Sequence, residues 1–167
     1  FRINTTSSSD QYNDSLAAYT DGFAAVWFTN GDIYLQRYSN AGVKQGTETL
    51  VSTVPGGTSA QSGAQYIPDV TALSSGGFVV TFYNDNYDID GTGSTGDVYL
   101  REYDAGGNPV DGQRKVNATT ASTQWESAVA DLGNGNYAVV WAGYNAEAGT
   151  ANTYGIFQQL YGDSTEL

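Results

Sequence analysis

The sequence predicts an all-β fold made of three similar four-stranded units. Three observations support this prediction: a composition that favours strands and turns, a motif that recurs three times, and equal spacing between the recurring elements. The 167 residues suffice for one domain with a hydrophobic core. Tyr, Val, Thr and Phe favour strands, whereas the 21 glycines, with Asn and Asp, favour the turns between them.

Each unit begins with a glutamine followed by an aromatic residue. These pairs are Gln11–Tyr12, Gln65–Tyr66 and Gln124–Trp125. Apolar segments follow as strand a, at 15–19, 69–73 and 128–132, and after a Gly-containing turn as strand b, at 23–28, 78–83 and 137–142. Strand c is predicted at 32–38, 97–103 and 155–161, and strand d at 48–53 and 114–119.

The spacing of the third and fourth strands is the same in two units. Thirteen positions separate Tyr38 from Val51, and thirteen separate Tyr103 from Val116. Equal steps indicate true structural repeats. Four short antiparallel strands per unit match the blade of a β-propeller. A β-sandwich of the same hairpins is the alternative.

The repeats divide one predicted domain, 1–167, into five parts. Residues 1–9 form a donor or closing strand, 10–53 unit 1, 54–120 unit 2, 121–161 a third unit without its fourth strand, and 162–167 a tail. The segment FRINTTSSSDQ at 1–11 resembles RKVNATTASTQ at 114–124. The N-terminal segment is therefore predicted to be the missing fourth strand of unit 3.

If the N-terminal segment is the fourth strand of unit 3, it can complete that unit in two ways. The remaining alternative is a frayed terminus without a partner. Residues 1–6 can fold back onto unit 3 of the same chain, or complete unit 3 of a neighbour by β-strand addition. Since propellers have four to eight blades, three units are too few to surround an axis. We therefore expect head-to-tail self-association into a ring or filament, through an assembly strand that contains Phe1, Ile3 and Thr5.

The charge and composition exclude several classes of partner. The formal net charge is −12, which disfavours nucleic acid and anionic membrane surfaces. No apolar run reaches about 18 residues, so no membrane insertion is expected. The chain has no Cys and no His, which excludes a disulfide framework and the commonest general base.

A calcium-binding loop is predicted at residues 86–97, NYDIDGTGSTGD. Hard Ca²⁺ prefers six to eight oxygen ligands, and this spacing supplies them. Calcium is thus the expected cofactor, and the Asn at the first position and the Asp at the twelfth predict weak binding. Its predicted ligands are Asn86, Asp88, Asp90, Thr92, Ser94 and Asp97.

Aromatic and acidic residues suggest a glycan-binding surface and no catalysis. The candidates for glycan contact, on the loops between strands b and c, are Tyr83, Tyr87, Tyr144 and Tyr154. The three tryptophans recur at equivalent positions and are predicted to pack in the core. Nothing fixes a separation between Asp14, Asp69, Glu126 and Glu147, so they are interpreted as surface acids and no enzymatic activity is expected. Sequons occur at Asn4, Asn13 and Asn117.

The pattern at residues 65–120 resembles a known class of repeat. It contains QYIPDVTALSSGGFVVTF, then DVYLREYDAGGNPV, then VNATT. These segments are similar to the repeats of about fifty residues in large secreted RTX-type bacterial proteins, including adhesin-like surface proteins. The resemblance implies secretion to the cell surface or beyond, calcium-rich surroundings and a propeller-like fold. The expected function is extracellular structural assembly stabilised by calcium, and the alternative is a lectin-like carbohydrate-binding module of an adhesin.

Overall fold

The protein is all-β, as predicted. The computed structural model describes residues 1–53, 63–85, 96–118, 123–144, 153–162 and 165–166. Blade 1 comprises β1 (Gln11–Tyr19), β2 (Gly22–Thr29), β3 (Asp32–Ser39) and β4 (Lys44–Leu50). Blade 2 comprises β5 (Ala64–Ala72), β6 (Phe78–Asp85), β7 (Gly96–Tyr103) and β8 (Arg114–Lys115). Blade 3 comprises β9 (Gln124–Gly133), β10 (Asn136–Tyr144), β11 (Tyr154–Gly162) and β12 (Thr165–Glu166).

Each blade is one antiparallel sheet whose strands follow chain order. The blades also pack on one another in a repeated way. Strand β5 lies against β1, β2 and β3, and β9 lies against β5, β6 and β7. The first strand of each blade therefore sits nearest the common axis. This arrangement is propeller-like and replaces the sandwich alternative.

Two hydrophobic cores fill the spaces between blades. Each blade has a forward face, toward the next blade in the chain, and a rear face, toward the previous one. The forward face of blade 1 contributes Val26, Ile33 and Leu35 to the first core, where they meet Phe78 and Phe82 of blade 2. The second core is formed by residues at the equivalent positions one blade later: Val98, Leu100, Tyr137, Val139 and Trp141.

Polar bonds between blades accompany this apolar burial. The buried Arg101 of blade 2 donates from Nη1 to the carbonyl oxygen of Val51 and to Thr53 Oγ1, both at 2.8 Å. Such bonds tie the middle of one blade to the outer strand of the previous one. Among the described residues, no helix is long and apolar enough to cross a membrane.

The outer strands differ from the prediction. The expected segments 48–53 and 114–119 are replaced by Lys44–Leu50 and Arg114–Lys115. Val51 and Val116 still donate to the carbonyl oxygens of Ile33 and Val98, each at 2.8 Å. The residue after each valine, Ser52 or Asn117, accepts the next hydrogen bond with its side chain and not with its backbone carbonyl. Regular strand pairing therefore ends there.

Blade 3 also has a fourth strand, contrary to the prediction that it lacks one. Thr165 pairs with Gly162 and Glu166 pairs with Tyr161. Residues so close in sequence pair at a small cost in loop-closure entropy. Within the described residues, β12 pairs only with the last two residues of β11, so this strand covers the sheet edge only at the C-terminal end of β11.

Candidate functional site

The inner strand of every blade carries the same bulge. Two residues after the initial glutamine, the backbone takes a positive φ: 53° at Asn13, 51° at Ile67 and 51° at Glu126. The pairing with the second strand shifts register at each of these points. Bulges bend a strand and change the direction of its side chains, and they are enriched near functional sites. The bulge lies near the N-terminal end of each inner strand, and we call this end of the three inner strands the axial end.

Three of the predicted surface acids lie at the axial end, in two different environments. Asp14 and Glu126 are exposed. Asp69 is partly buried and bridges all three blades, since it accepts from Ser15 Oγ of blade 1 at 2.7 Å and from the backbone N–H of Val129 of blade 3 at 2.9 Å. Asp69 therefore holds the inner strands together, whereas Asp14 and Glu126 face solvent. Glu147 lies outside the described residues.

Aromatic side chains gather at the same end of the blades. One row runs from blade 1 into blade 2, with ring centroids 4.7 Å apart for Tyr12–Phe28 and 5.1 Å for Phe28–Tyr66. Tyr83 continues this row at 6.2 Å from Tyr66. On blade 3, Tyr154 is 61% exposed. Its ring lies 4.8 Å from Tyr144 and 6.0 Å from Trp125.

Three of the four residues predicted to contact glycans are described, and they lie at strand ends and not on the predicted loops: Tyr83 on β6, Tyr144 on β10 and Tyr154 on β11. Tyr87 lies outside the described residues. The core prediction for tryptophan is confirmed at Trp27 and Trp141, which are buried. Trp125 is only partly buried, like its equivalent Tyr66 in blade 2.

The predicted calcium loop is represented by Asp97 alone, since Asn86, Asp88, Asp90, Thr92 and Ser94 lie outside the described residues. Asp97 is fully buried and accepts from Asn117 Nδ2 at 2.6 Å, with Lys115 Nζ at 3.9 Å. Its carboxylate thus connects the third strand of blade 2 to the fourth strand and the residues that follow it; we call this connection the joint. Elsewhere in the described ranges, no group of three or more acidic side chains is placed to hold a metal ion. Calcium binding at 86–97 stays a prediction.

The same joint recurs in blade 1, and we call it the polar latch. Ile33 donates its backbone N–H to Ser52 Oγ at 3.1 Å, and Val98 donates to Asn117 Oδ1 at 2.9 Å. In each case the acceptor follows a buried valine and lies close to an aspartate, Asp32 in blade 1. Burial raises the pKa of Asp32, and the bond from Ser52 partly offsets this effect. In both blades, a side-chain oxygen thus takes the place of a backbone carbonyl oxygen in one hydrogen bond between the third strand and the segment beside it.

The predicted assembly strand lies on blade 1 of its own chain and forms no regular strand. The Phe1 ring is 5.7 Å from the Tyr38 ring, and Tyr38 Oη donates to the Ile3 carbonyl oxygen at 2.6 Å. Thr5 accepts from Lys44 Nζ at 2.6 Å and donates its backbone N–H to Glu48. The segment therefore covers part of the rear face of blade 1. Its donation to a neighbour stays a prediction.

Blade 3 has an open forward face that sequence reasoning missed. Ile156 is 77% exposed, although its equivalents Ile33 and Val98 are fully buried. Val140 is 39% exposed, against 0% for its equivalent Val26. The exposed positions are contiguous, because Ala138 pairs with Ala130 on one side and Leu160 on the other. The open forward face comprises Ala130, Leu132, Ala138, Val140, Ile156 and Leu160, with the polar Gln158 between the last two and paired with Val140.

The alignment of the three units contained the signal for this face. Ile156 occupies the position of Ile33 and Val98 in strand c, so it belongs to a set that is buried wherever another blade follows. Among the described residues, no further blade packs on the forward face of blade 3, so that position is exposed there. The three sequons have different surroundings: Asn13 is exposed, Asn4 is partly buried, and Asn117 is buried in the latch.

The sequence matches no protein-family model, and no curated protein is significantly similar to it. Among solved structures, the fold is similar to a xylan β-1,4-xylosidase from Bacillus halodurans C-125, with TM-score 0.54 and 14% identity. It is also similar to a GH43 endo-arabinanase from Bacillus licheniformis, with TM-score 0.53 and 15% identity. These alignments cover 91% and 95% of this chain.

These comparisons correct the expectation of no enzymatic activity, since the two solved structures described above are both named as enzymes. The chain spans only 29% of the xylosidase and 57% of the endo-arabinanase. At this identity the likeness shows the fold, and it supports the propeller-like interpretation of the three blades.

Proposed function

We propose that the protein is an assembly module, in which copies join head to tail by packing the open forward face of blade 3 on the rear face of blade 1 in the next copy. The observation that carries the proposal is the 77% exposure of Ile156 at a position that is fully buried in blades 1 and 2. Burying one such side chain contributes about 1.5–3 kcal/mol. A contiguous apolar face of this kind marks an interaction surface.

The rear face of blade 1 suits the open face because it repeats a surface already used twice within the chain. Phe23, Trp27 and Tyr38 stand at the positions that Phe78, Phe82 and Tyr103 hold on the rear face of blade 2. Those blade 2 residues belong to the core against blade 1. A second copy therefore offers the surface that blade 3 lacks.

The number of blades indicates why a contact between copies would complete the fold. Three blades per copy leave the axis open, and two copies provide six, within the range of closed propellers. A head-to-tail contact closes into a ring when the rotation closes, and otherwise extends as a filament. Calcium at 86–97 and an extracellular location remain part of the proposal, supported by the loop spacing and by the resemblance to secreted repeats.

Changing Ile156→Lys is expected to convert the assembled protein into a folded monomer, because a charge on the open face cannot be buried without a partner. Light scattering after gel filtration measures the mass, and circular dichroism verifies the fold. Val110→Lys is the matched control, since Val110 is 51% exposed on blade 2, away from both end faces. Equal masses for the parent and Ile156→Lys, whether assembled or monomeric, contradict the proposal.

A second candidate function is carbohydrate binding at the axial end. Its supporting observation is the exposed Tyr154 beside Tyr144 and Trp125, with the exposed Glu126 on the inner strand of the same blade. The exposed Asp14 lies on the inner strand of blade 1. The xylosidase and the endo-arabinanase, which are similar in fold, are named for xylan and arabinan chemistry, and these two polysaccharides are therefore the first ligands to test.

Tyr154→Ala is expected to reduce the retention of the protein on xylan or arabinan several-fold, because aromatic faces stack on sugar rings. Affinity electrophoresis measures the retention, and a reducing-sugar assay reports any hydrolysis. Val110→Ala is the control for a surface change elsewhere. Unretarded migration of the parent protein on both polysaccharides, without sugar release, would remove this candidate.

A further inference from the structure

We propose that the head-to-tail contact is sealed by strand exchange: residues 1–6 leave blade 1 of their own chain and pair with the outer edge of β11 in the preceding copy, whose blade 3 packs on that same blade 1. There Ile3 takes the position of Val51 and Val116, and Asn4 forms the polar latch with the backbone N–H of Ile156. This inference rests on the proposed self-association and specifies its chemistry.

The latch identifies the acceptor that blade 3 needs. In blades 1 and 2, the backbone N–H of Ile33 and Val98 is bonded by the side chain of a residue in the fourth strand, Ser52 at 3.1 Å and Asn117 at 2.9 Å. The equivalent group in blade 3 is the N–H of Ile156. Asn4 aligns with Asn117 and carries the same carboxamide acceptor.

The connection between the strands has the required length. Eight positions separate Val116, in the fourth-strand segment of blade 2, from Gln124 at the start of blade 3, and eight separate Ile3 from Gln11. Eight positions therefore suffice to connect the outer edge of blade 2 to the inner strand of blade 3. The same number of residues links Ile3 to blade 1.

The receiving edge is open where the donor segment is expected. Within the described residues, the outer edge of β11 pairs with another strand only at Tyr161 and Gly162. In blade 1 the corresponding edge of β3 is paired as far as Tyr34 and bonded at Ile33. An unpaired strand edge is a template for β-strand addition.

Exchange also uncovers the surface that the neighbour needs. Ile3 and Asn4 line a groove on the rear face of blade 1 together with Leu16, Ala25 and Trp27. The bonds that hold Thr5 there involve the exposed Lys44 and the half-buried Glu48, and solvent-accessible bonds to charged side chains contribute little. Departure of the segment frees the rear face of blade 1, but it also breaks the bond from Tyr38 Oη to the Ile3 carbonyl oxygen and the ring contact of Tyr38 with Phe1. Docking of the neighbour buries Tyr38 again, so docking and exchange are coupled.

A designed disulfide tests the register. Tyr34 pairs with Leu50 in blade 1, and Tyr99 with Lys115 in blade 2. The equivalent pair across the exchanged strand is Phe157 with Arg2. Since the chain has no cysteine, Arg2→Cys with Phe157→Cys forms one defined bond at the spacing that a disulfide requires. Mild oxidation of the full chain is expected to give cross-linked dimers or ladders, which a reductant reverses.

The controls separate the failure of exchange from the failure of assembly. Arg2→Cys with Val110→Cys should cross-link far less, and adding Asn4→Ala to the designed pair should lower its yield several-fold while Asn4→Asp, which keeps an acceptor oxygen, retains it. A disulfide confined to the monomer shows closure within one chain and overturns the proposal. Absence of the disulfide in a protein that still assembles overturns exchange and leaves face-to-face docking intact. A parent protein that is monomeric throughout overturns both proposals.

Discussion

Replacing Glu102 by Ala is expected to lower the free energy of unfolding by about 3 kcal/mol, because it breaks a buried polar network between blades 2 and 3. Glu102 accepts bonds from Tyr137 Oη and from Arg114 Nη2, and Arg114 also lies 3.1 Å from Tyr137 Oη. The Glu102 side chain is 7% exposed and that of Arg114 is 33% exposed. Removal of the carboxylate leaves the guanidinium and the phenol without their shared acceptor.

Urea denaturation at neutral pH measures this effect, with Asp111→Ala as the matched control. Asp111 is an exposed acid in the same blade, and surface substitutions of this kind change stability by about 0.5 kcal/mol or less. If Glu102→Ala and Asp111→Ala shift the transition equally, the network does not hold these blades together. Since Tyr137 belongs to the core against blade 2, a destabilised joint should also broaden the unfolding transition.

The repeat pattern predicted the blades because each blade buries the same positions. Ile33 and Val98 are buried by the following blade, and Phe78 and Tyr137 pack against the preceding one. Such positions depend on the period of the sequence and on the alternation of strands. The first, second and third strands of all three blades could therefore be placed from the sequence alone.

The outer strands and the sites could not be predicted in the same way. Regular pairing in blade 2 ends at Lys115, since Asn117 bonds the Val98 N–H through its side chain. Asp97 fits the spacing of a calcium loop, but the fold uses it in the same joint. Asp69 was interpreted as a surface acid, although its two acceptors link three blades. Each of these roles depends on tertiary partners that spacing along the chain does not reveal.

The protein is expected to lose stability between about pH 10 and pH 12, because burial raises the pKa of Tyr103 from 10.0 to about 12, with Arg101 partly offsetting the effect. An unfolded tyrosine ionises near its ordinary pKa, whereas the folded protein keeps this phenol protonated. The stability that results is fully present below pH 10 and is lost as the pH rises through the folded pKa. A shift of two units in a buried group corresponds to about 2–3 kcal/mol.

Tyr103→Phe isolates this contribution, since phenylalanine keeps the ring beside Phe78, whose centroid is 5.0 Å away, and has no proton to lose. Between pH 10 and 12 the free energy of unfolding of the parent should therefore fall more steeply than that of Tyr103→Phe, by about 2–3 kcal/mol in total. Burial and Asp85 also raise the pKa of Tyr83 to about 12, so some alkaline loss persists in the variant. Parallel curves for the two proteins would show that Tyr103 ionises as readily in the folded state as in the unfolded one.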